Sequence, residues 1–366
     1  MGQRESAVED VVNRWQGRRV FLTGHTGFKG GWLALWLASR GAVIRGYARD
    51  PVGKPNLFSA AMVGGVLEDV RGELCDNTYL EASMTEFRPE VVFHLAAQPL
   101  VRHSYADPLG TFASNIMGTA HVLEAVRKTP SVRAVVCVTT DKCYENREWV
   151  WPYREVDRLG GHDPYSSSKA CAEIVAAAYR SSYFPVERLS EHGVGIATAR
   201  AGNVIGGGDW SEDRLIPDLI RGFGAGEPVK IRHPKAVTPW QHVLEPLHGY
   251  MLLAEELLAG HKEAASAFNF GPGDEGVWTV ERIATRVAAL WGGDASWVSD
   301  SATAVHEASA LRLDSSKAHA ELGWLPRLST ARALEWTMDW YRGWRENADM
   351  RLKTQEQIAA YEGLLR

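Results

Sequence analysis

The chain has 366 residues, 45 % hydrophobic and 23 % charged, with a net charge of -5 when its histidines are neutral. That length allows a large core in two lobes or one enlarged α/β unit, and the charge balance excludes the basic footprint of a nucleic-acid binder. The four cysteines, Cys75, Cys137, Cys143 and Cys171, show no CxxC spacing, so neither a metal site nor a disulfide framework is expected and a reducing compartment is indicated.

No stretch of about 18 apolar residues occurs, and the leading MGQRESAVEDVVNRW carries acids without an apolar run; neither a membrane span nor a signal peptide is expected, and the predicted location is cytoplasmic. From residue 18 to 128, short apolar runs alternate with helical patterns: RRVFLT, FKGGWLALWLASRG, AVIRGYA, VGGVLEDV, EVVFHLAA and a long helix through NIMGTAHVLEAVRK. Strands separated by helices mean βαβ crossovers and a parallel sheet. VRAVVCVTT (132 to 140) and VGIATARAGNV (194 to 204) read as two more buried strands around the SSSKACAEIVAAAYRSSYF helix, as buried parallel strands do. This alternation predicts an α/β fold with a doubly wound, parallel, Rossmann-like sheet.

After Val204 the punctuation changes to IGGGDWSEDRLIP, and the segments that follow lack clear alternation, predicting a smaller C-terminal lobe. FNFGPG (268 to 273) reads as one further strand. Helices are expected at TVERIATRVAAL, SSKAHAELGW and TARALEWTMDWYRGWRE, the last with Leu334, Met338 and Tyr341 on its packing face and Thr330 as N-cap.

A strand ending at Thr23 turns through Gly24, Gly27 and Gly30 into an apolar helix. Glycines there allow a tight turn and close backbone approach, and the helix start offers amide donors to a dinucleotide pyrophosphate. Asp50, at the end of the second strand, stands where a ribose hydroxyl acceptor belongs and favours NAD; neighbouring Arg49 argues for a 2′-phosphate, and the balance favours NAD. His25 and Lys29 are either solvated loop residues or charge added near the phosphates.

YSSSK at 165 to 169 puts Tyr165 and Lys169 on one helix face. An ammonium beside a phenol favours the phenolate, the general base needed to deprotonate a sugar hydroxyl. The preceding strand ends VTTDKCYEN, so Thr140, Asp141 and Lys142 stand at the carboxyl edge of a parallel sheet, where ligands bind. Read alone, these would be a solvated charge pair and an exposed Tyr and Lys; together with the glycine loop they predict a redox site.

GHTGFKG, HLAAQPLV, NIMGTAHVLEA, TTDK, YSSSK, RAGNVIGGGDW, PWQHVLEPL and LDSSKAHAELGW together resemble the extended short-chain dehydrogenase/reductases, and within them the NAD-dependent sugar-nucleotide 4,6-dehydratases acting on CDP-glucose. Asp141-Lys142 distinguishes the chain from the dTDP-type enzymes, which resemblance would give Asp-Glu there. The resemblance implies an NAD-binding part over 1–204, with return segments including about 238–273, and a sugar-nucleotide-binding lobe over 205–366. It implies catalytic roles for Thr140, Asp141, Lys142, Tyr165 and Lys169. It implies cofactor contacts from Gly24, His25, Gly27, Phe28, Lys29, Gly30, Asp50, Asp69, Val70, Leu95, Ala96, Ala97, Asn115, Tyr165 and Lys169, Asn115 helping to orient the lysine. Thr140, Asn203 and Arg214 would approach the sugar nucleotide.

The implied cycle has Tyr165 take the C4 hydroxyl proton during oxidation, Lys142 remove the C5 proton, and Asp141 protonate the departing C6 hydroxyl. One position departs from the pattern: Thr238 stands before Pro239-Trp240-Gln241-His242-Val243 where an arginine is expected at a nucleotide diphosphate, so either Lys230, Arg232 or Lys235 nearby compensates or the substrate differs from CDP-glucose. Alternatives are an epimerase or net oxidoreductase on the same fold, or a non-catalytic NAD(P) sensor. By resemblance, helices at 107 to 128 and 163 to 184 would pair copies into a homodimer or homotetramer.

Overall fold

A computed structural model describes residues 14–273, 277–300 and 311–366; the beginning of the leading segment, residues 1–13, lies outside them. The first six strands are β1 (Arg19–Thr23), β2 (Val43–Ala48), β3 (Glu68–Arg71), β4 (Val91–His94), β5 (Ala134–Val138) and β6 (Gly195–Ala201). Two short strands follow, β7 (Asn203–Ile205) and β8 (Val229–Ile231), then β9 (Val237–His242), β10 (Ala267–Phe270), β11 (Val277–Thr279) and β12 (Trp297–Ser299). Seven of them form one parallel sheet in the order β10-β6-β5-β4-β1-β2-β3. The direction of winding reverses between β1 and β4, whose carboxyl ends meet at Thr23 and His94; open parallel sheets bind ligands at that point.

Alternate residues of each strand face opposite layers. Val20, Leu22, Val136 and Ala197 join the core under the helices Phe28–Ser39 and Leu244–Leu258. Phe21, Val135, Cys137 and Ile196 join the core under Asn77–Phe87 and Gly118–Arg127. With both faces covered, the strands can be apolar throughout.

Three boundaries and the regularity of one helix differ from expectation. The segment 194–204 is not one strand: β6 ends at Ala201, and β7 leaves to pair with β9 in a three-stranded sheet with β11. The break falls at Gly202, where a Cβ would lie 2.7 Å from Pro239 Cγ and 3.1 Å from Asp141 Oδ2, so the bend makes room for the Asp141 carboxylate. VGGVLEDV yields strand only from Glu68, its beginning being a short 3-10 turn.

The helix through NIMGTAHVLEAVRK starts at Pro108, within the expected 107 to 128, but is not regular: it opens into a π-type turn over Ala113–Met117. The N-cap of Thr330–Arg345 is Ser329, whose hydroxyl accepts from Arg332 N; Thr330 is instead buried in the first turn, its hydroxyl 3.4 Å from the Trp240 carbonyl. Among the described residues no helix is long and apolar enough to cross a membrane.

Candidate active site

Gly24 follows β1 at φ 81°, and a Cβ there would lie 2.7 Å from Ala96 N beyond the end of β4. At Gly30 a Cβ would lie 2.1 Å from the Gly24 carbonyl oxygen. The loop is thus drawn against both neighbouring backbones, as a cradle for a phosphate must be. Gly27 caps Phe28–Ser39 without a side chain, which leaves the first amides free for an anion. These residues fit a dinucleotide pyrophosphate.

Around the cradle, Phe28, Leu95, Ala96 and Ala97 are half-buried, and Asp69 and Val70 lie on β3. His25 is not a solvated loop residue: it is fully buried, its Nε2 is 2.8 Å from Asp69 Oδ1, and its Nδ1 has no partner. Burial lowers its pKa despite Asp69. Asp69 also accepts from Arg71 at 2.7 Å. Asp50 is exposed, with its carboxylate 3.7 Å from Arg71, and Arg49 reaches Glu73 at 3.8 Å.

A cavity of about 320 Å³ opens beside this loop, and Thr140, Asp141, Lys142, Tyr165, Asn203, Arg214 and Lys29 all line it. Three of them sit just past β5 on a single 3-10 turn, capped by the Thr140 oxygen accepting from Lys142 N at 3.3 Å. Tyr165 stands near the start of Pro164–Ser182, a helix with proline at its first position and Asp163 accepting from Ser166 N, the strongest local start signals there are. The Thr140 hydroxyl donates to Asp141 Oδ1 at 3.0 Å, and Thr140 also opposes the effect of burial on the Tyr165 phenol in the same cavity. Burial raises the Asp141 pKa against the pull of Lys142, Thr140 and Lys29; a carboxyl held this way can carry a proton to give away.

Two electrostatic features depart from the sequence reading. Burial pushes the Tyr165 phenol up to about 12, and the groups opposing it are Thr140 and then Arg214, not Lys169. The Lys169 ammonium instead donates to the Val138 carbonyl at 3.2 Å, and burial lowers it to about 8. Lys29, expected either in solvent or near phosphates, faces the same cavity as Asp141. Burial and the charges of Arg214 and Lys169 lower it to about 7, and it forms no ion pair among the described residues.

The side-chain hydrogen bonds of Asn115 go to Ser168 and Gln98, not to Lys169. From the π-type turn it donates to Ser168 Oγ at 2.8 Å and to the Gln98 carbonyl, and it accepts from Gln98 N, so it fixes the residue beside the lysine. Where β1 meets β4, His94 Nδ1 is 2.8 Å from Thr23 Oγ1 and Nε2 is 3.1 Å from Thr119 Oγ1. Burial and the charge of Lys169 push that histidine down to about 3, so it is neutral.

The family profile described as "NAD dependent epimerase/dehydratase family" matches residues 20–271. The chain belongs to that family. Its cofactor is accordingly NAD. The chain is 50 % identical over 349 residues to a CDP-glucose 4,6-dehydratase of Salmonella typhimurium, covering 95 % of this chain and 97 % of that one. It is 28 % identical over 333 residues to a dTDP-glucose 4,6-dehydratase of Streptomyces antibioticus, covering 88 % and 92 %. Among solved structures, the dTDP-glucose 4,6-dehydratase of Bacillus anthracis in complex with NAD superimposes with a TM-score of 0.73 at 21 % identity, over 90 % of this chain and 98 % of that one, a likeness of fold.

In this family member the buried supports behind the cavity carry the least obvious sequence signal. Glu173 lies one turn beyond Lys169, and its Oε2 accepts from Arg200 at 2.7 Å and from Thr198 at 2.7 Å; Thr139 donates to its other oxygen. Burial opposes ionisation of Glu173, yet Arg200 and the two hydroxyls hold its carboxyl below the usual range. The spacing Tyr165, Lys169, Glu173 was the available clue, since each step of four stays on one face. Arg102 and Asp213 of the cavity wall had no comparable signal.

Proposed function

We propose that the protein is a hydro-lyase converting CDP-D-glucose to CDP-4-keto-6-deoxy-D-glucose and water, with NAD retained through the cycle. The observation that carries this reading is the meeting of Tyr165 and the hydrogen-bonded pair Thr140 and Asp141 in one cavity with the lysines Lys29 and Lys142 on its wall, in a chain half identical to a Salmonella relative named for that reaction. Bound NAD supplies a hydride acceptor at C4 and the same hydride at C6. Tyr165 takes the C4 hydroxyl proton in its phenolate form, which Thr140 and Arg214 favour against burial. The 4-ketone then acidifies C5, and Lys142 removes that proton as Asp141 gives its own to the C6 hydroxyl, so the C5–H pair becomes the C5=C6 bond and water leaves. The proton held by Lys142 returns to C5 when C6 is reduced. Raised Asp141 suits the acid role, because a carboxyl ionised at neutral pH has nothing to donate.

Residues 1–204 with the later return segments form the cofactor side, and 205–366 chiefly the nucleotide-sugar side, with Asn203 and Arg214 toward the sugar. Exposed Leu109, Met117, Ile174 and Tyr183 on the two helices expected to pair copies support a homodimer.

The test is CDP-glucose carrying deuterium at C4, with products read by mass spectrometry and NMR. Expected is loss of one water with the deuterium in the new methyl group. Accumulated NADH would mean an oxidoreductase, and a product of unchanged mass an epimerase; either outcome rejects the lyase.

A further inference from the structure

Two arginines from distant parts of the chain converge on one aspartate in the cavity wall. Arg102, in the helix Val101–Ala106, places Nη1 3.2 Å from Asp213 Oδ1, and Arg232, just after β8, places Nη1 3.6 Å from the same oxygen. All three residues line the cavity that holds Tyr165 and Asp141. Two guanidiniums against one carboxylate leave a positive charge over. Arg102 Nε is buried with no acceptor, and so are two further polar atoms of the same wall, Thr238 Oγ1 and Trp240 Nε1.

Asp213 is held at φ 57°, the left-handed region that a non-glycine residue adopts at a cost. Its neighbour Arg214 turns to Asp209 instead, at 2.9 Å, and the nearby Asp218 is engaged by Arg221. Nothing but Arg102 and Arg232 therefore meets the Asp213 carboxylate among the ion pairs of the described residues.

A guanidinium pair with unused donors, beside a buried hydroxyl and an indole N–H, matches a phosphoanhydride better than a single carboxylate. Several anionic oxygens can engage both planar forks at once. We propose that Asp213 is a built-in competitor for the substrate: its carboxylate sits in a seat made by Arg102 and Arg232, and the diphosphate of the nucleotide sugar takes that seat by displacing it. Asp213 thereby sets how tightly nucleotide is held and lets product leave, while Arg102 and Arg232 supply the charge that Thr238 does not.

The inference rests on the nucleotide-sugar reading above, so its test measures binding and not turnover. CDP, inorganic pyrophosphate and cytidine are titrated into the NAD-loaded enzyme by calorimetry at fixed ionic strength. Asp213→Asn keeps the shape and the tolerance for a left-handed backbone while removing the charge. It is expected to tighten CDP and pyrophosphate about tenfold, the scale of one displaced charge-assisted contact, with cytidine unaffected. Arg102→Met and Arg232→Met should each weaken CDP by about tenfold or more, on the same scale. In the doubly arginine-less protein, Asp213→Asn should change nothing.

Unchanged or weaker CDP binding in folded Asp213→Asn, checked by near-UV circular dichroism, overturns the proposal. So does an equal gain for cytidine. If the folded variant gains diphosphate affinity while the wild type makes no dehydrated product from CDP-glucose, the reaction assignment fails and the competitor stands.

Discussion

Lys29 shows how much a single side chain's surroundings decide. In the sequence it belongs to the glycine loop; in the fold its stem reaches past the loop toward Asp141, among the cations Arg214 and Lys169. Its folded pKa of about 7 lies below the ordinary 10.5. The unfolded chain therefore binds a proton there that the folded chain does not between those values, and stability contributed by this site rises with pH across that window. Lys29→Met removes the penalty. The variant, melted without added nucleotide, should have a higher Tm than the wild type at pH 7, and the gain should shrink as pH approaches 10.5. A gain independent of pH would assign the effect to packing.

At the scale of elements, the helix Pro164–Ser182 is bolted to β5 and β6 through Glu173. Gln at that position keeps the size but leaves Arg200 buried without its counter-charge, a loss of about 3–5 kcal/mol by the usual cost of breaking a buried pair. Urea unfolding of Glu173→Gln should show it, and a joint replacement of Glu173 and Arg200 by Met should cost less than the single change. Because Thr139 donates to Glu173 and adjoins Thr140, the Gln variant should also turn over more slowly without a matching rise in KM.

This helix was legible beforehand as the pattern SSSKACAEIVAAAYRSSYF between two strands, with Tyr165 and Lys169 four apart on one face. The end of β6 was not. Apolar and β-branched residues run on both sides of Gly202, and what stops the strand is the side chains of Pro239 and Asp141, which arrive from elsewhere. Nor could adjacent Ser329 and Thr330 be told apart as caps, since both hydroxyls suit the role and the buried Trp240 carbonyl lies beside the Thr330 hydroxyl. The site shows the same division. Thr140, Asp141 and Lys142 line the cavity from one turn whose spacing was readable, whereas Lys29, Arg102 and Asp213 join its wall only through the tertiary fold.

Over the whole molecule, the two ends of the described chain are tied into the fold by carboxylates, of which Glu245 is fully buried. Trp15 Nε1 donates to Glu255 at 2.7 Å, Trp36 Nε1 and Arg40 both donate to Glu362 at 2.6 Å, and Tyr361 donates to Glu245 at 2.6 Å. Glu245 also accepts from the backbone N–H of Arg327 and Leu328, yet burial pushes its carboxyl up to about 7. A carboxyl raised above its unfolded value holds an extra proton when folded, so it contributes a fall in stability as pH rises from about 4.5 to 7. Glu245→Gln should flatten that part of the Tm profile, by an amount on the order of 3 kcal/mol between the two limits. An unaltered slope would mean that Glu245 stays ionised throughout.

The position of β10 has a consequence for how the protein is made. It is the outer strand beside β6, yet 65 residues, 202 to 266, separate the two strands in the chain. A nascent chain that has emerged only as far as Ile205 holds six strands of its platform with one flank bare, its amides and carbonyls ready to recruit any passing extended polypeptide. Synthesis must continue through Phe270 before that flank is sealed. The interval between is the stretch of translation in which a chaperone's shelter matters most to this enzyme.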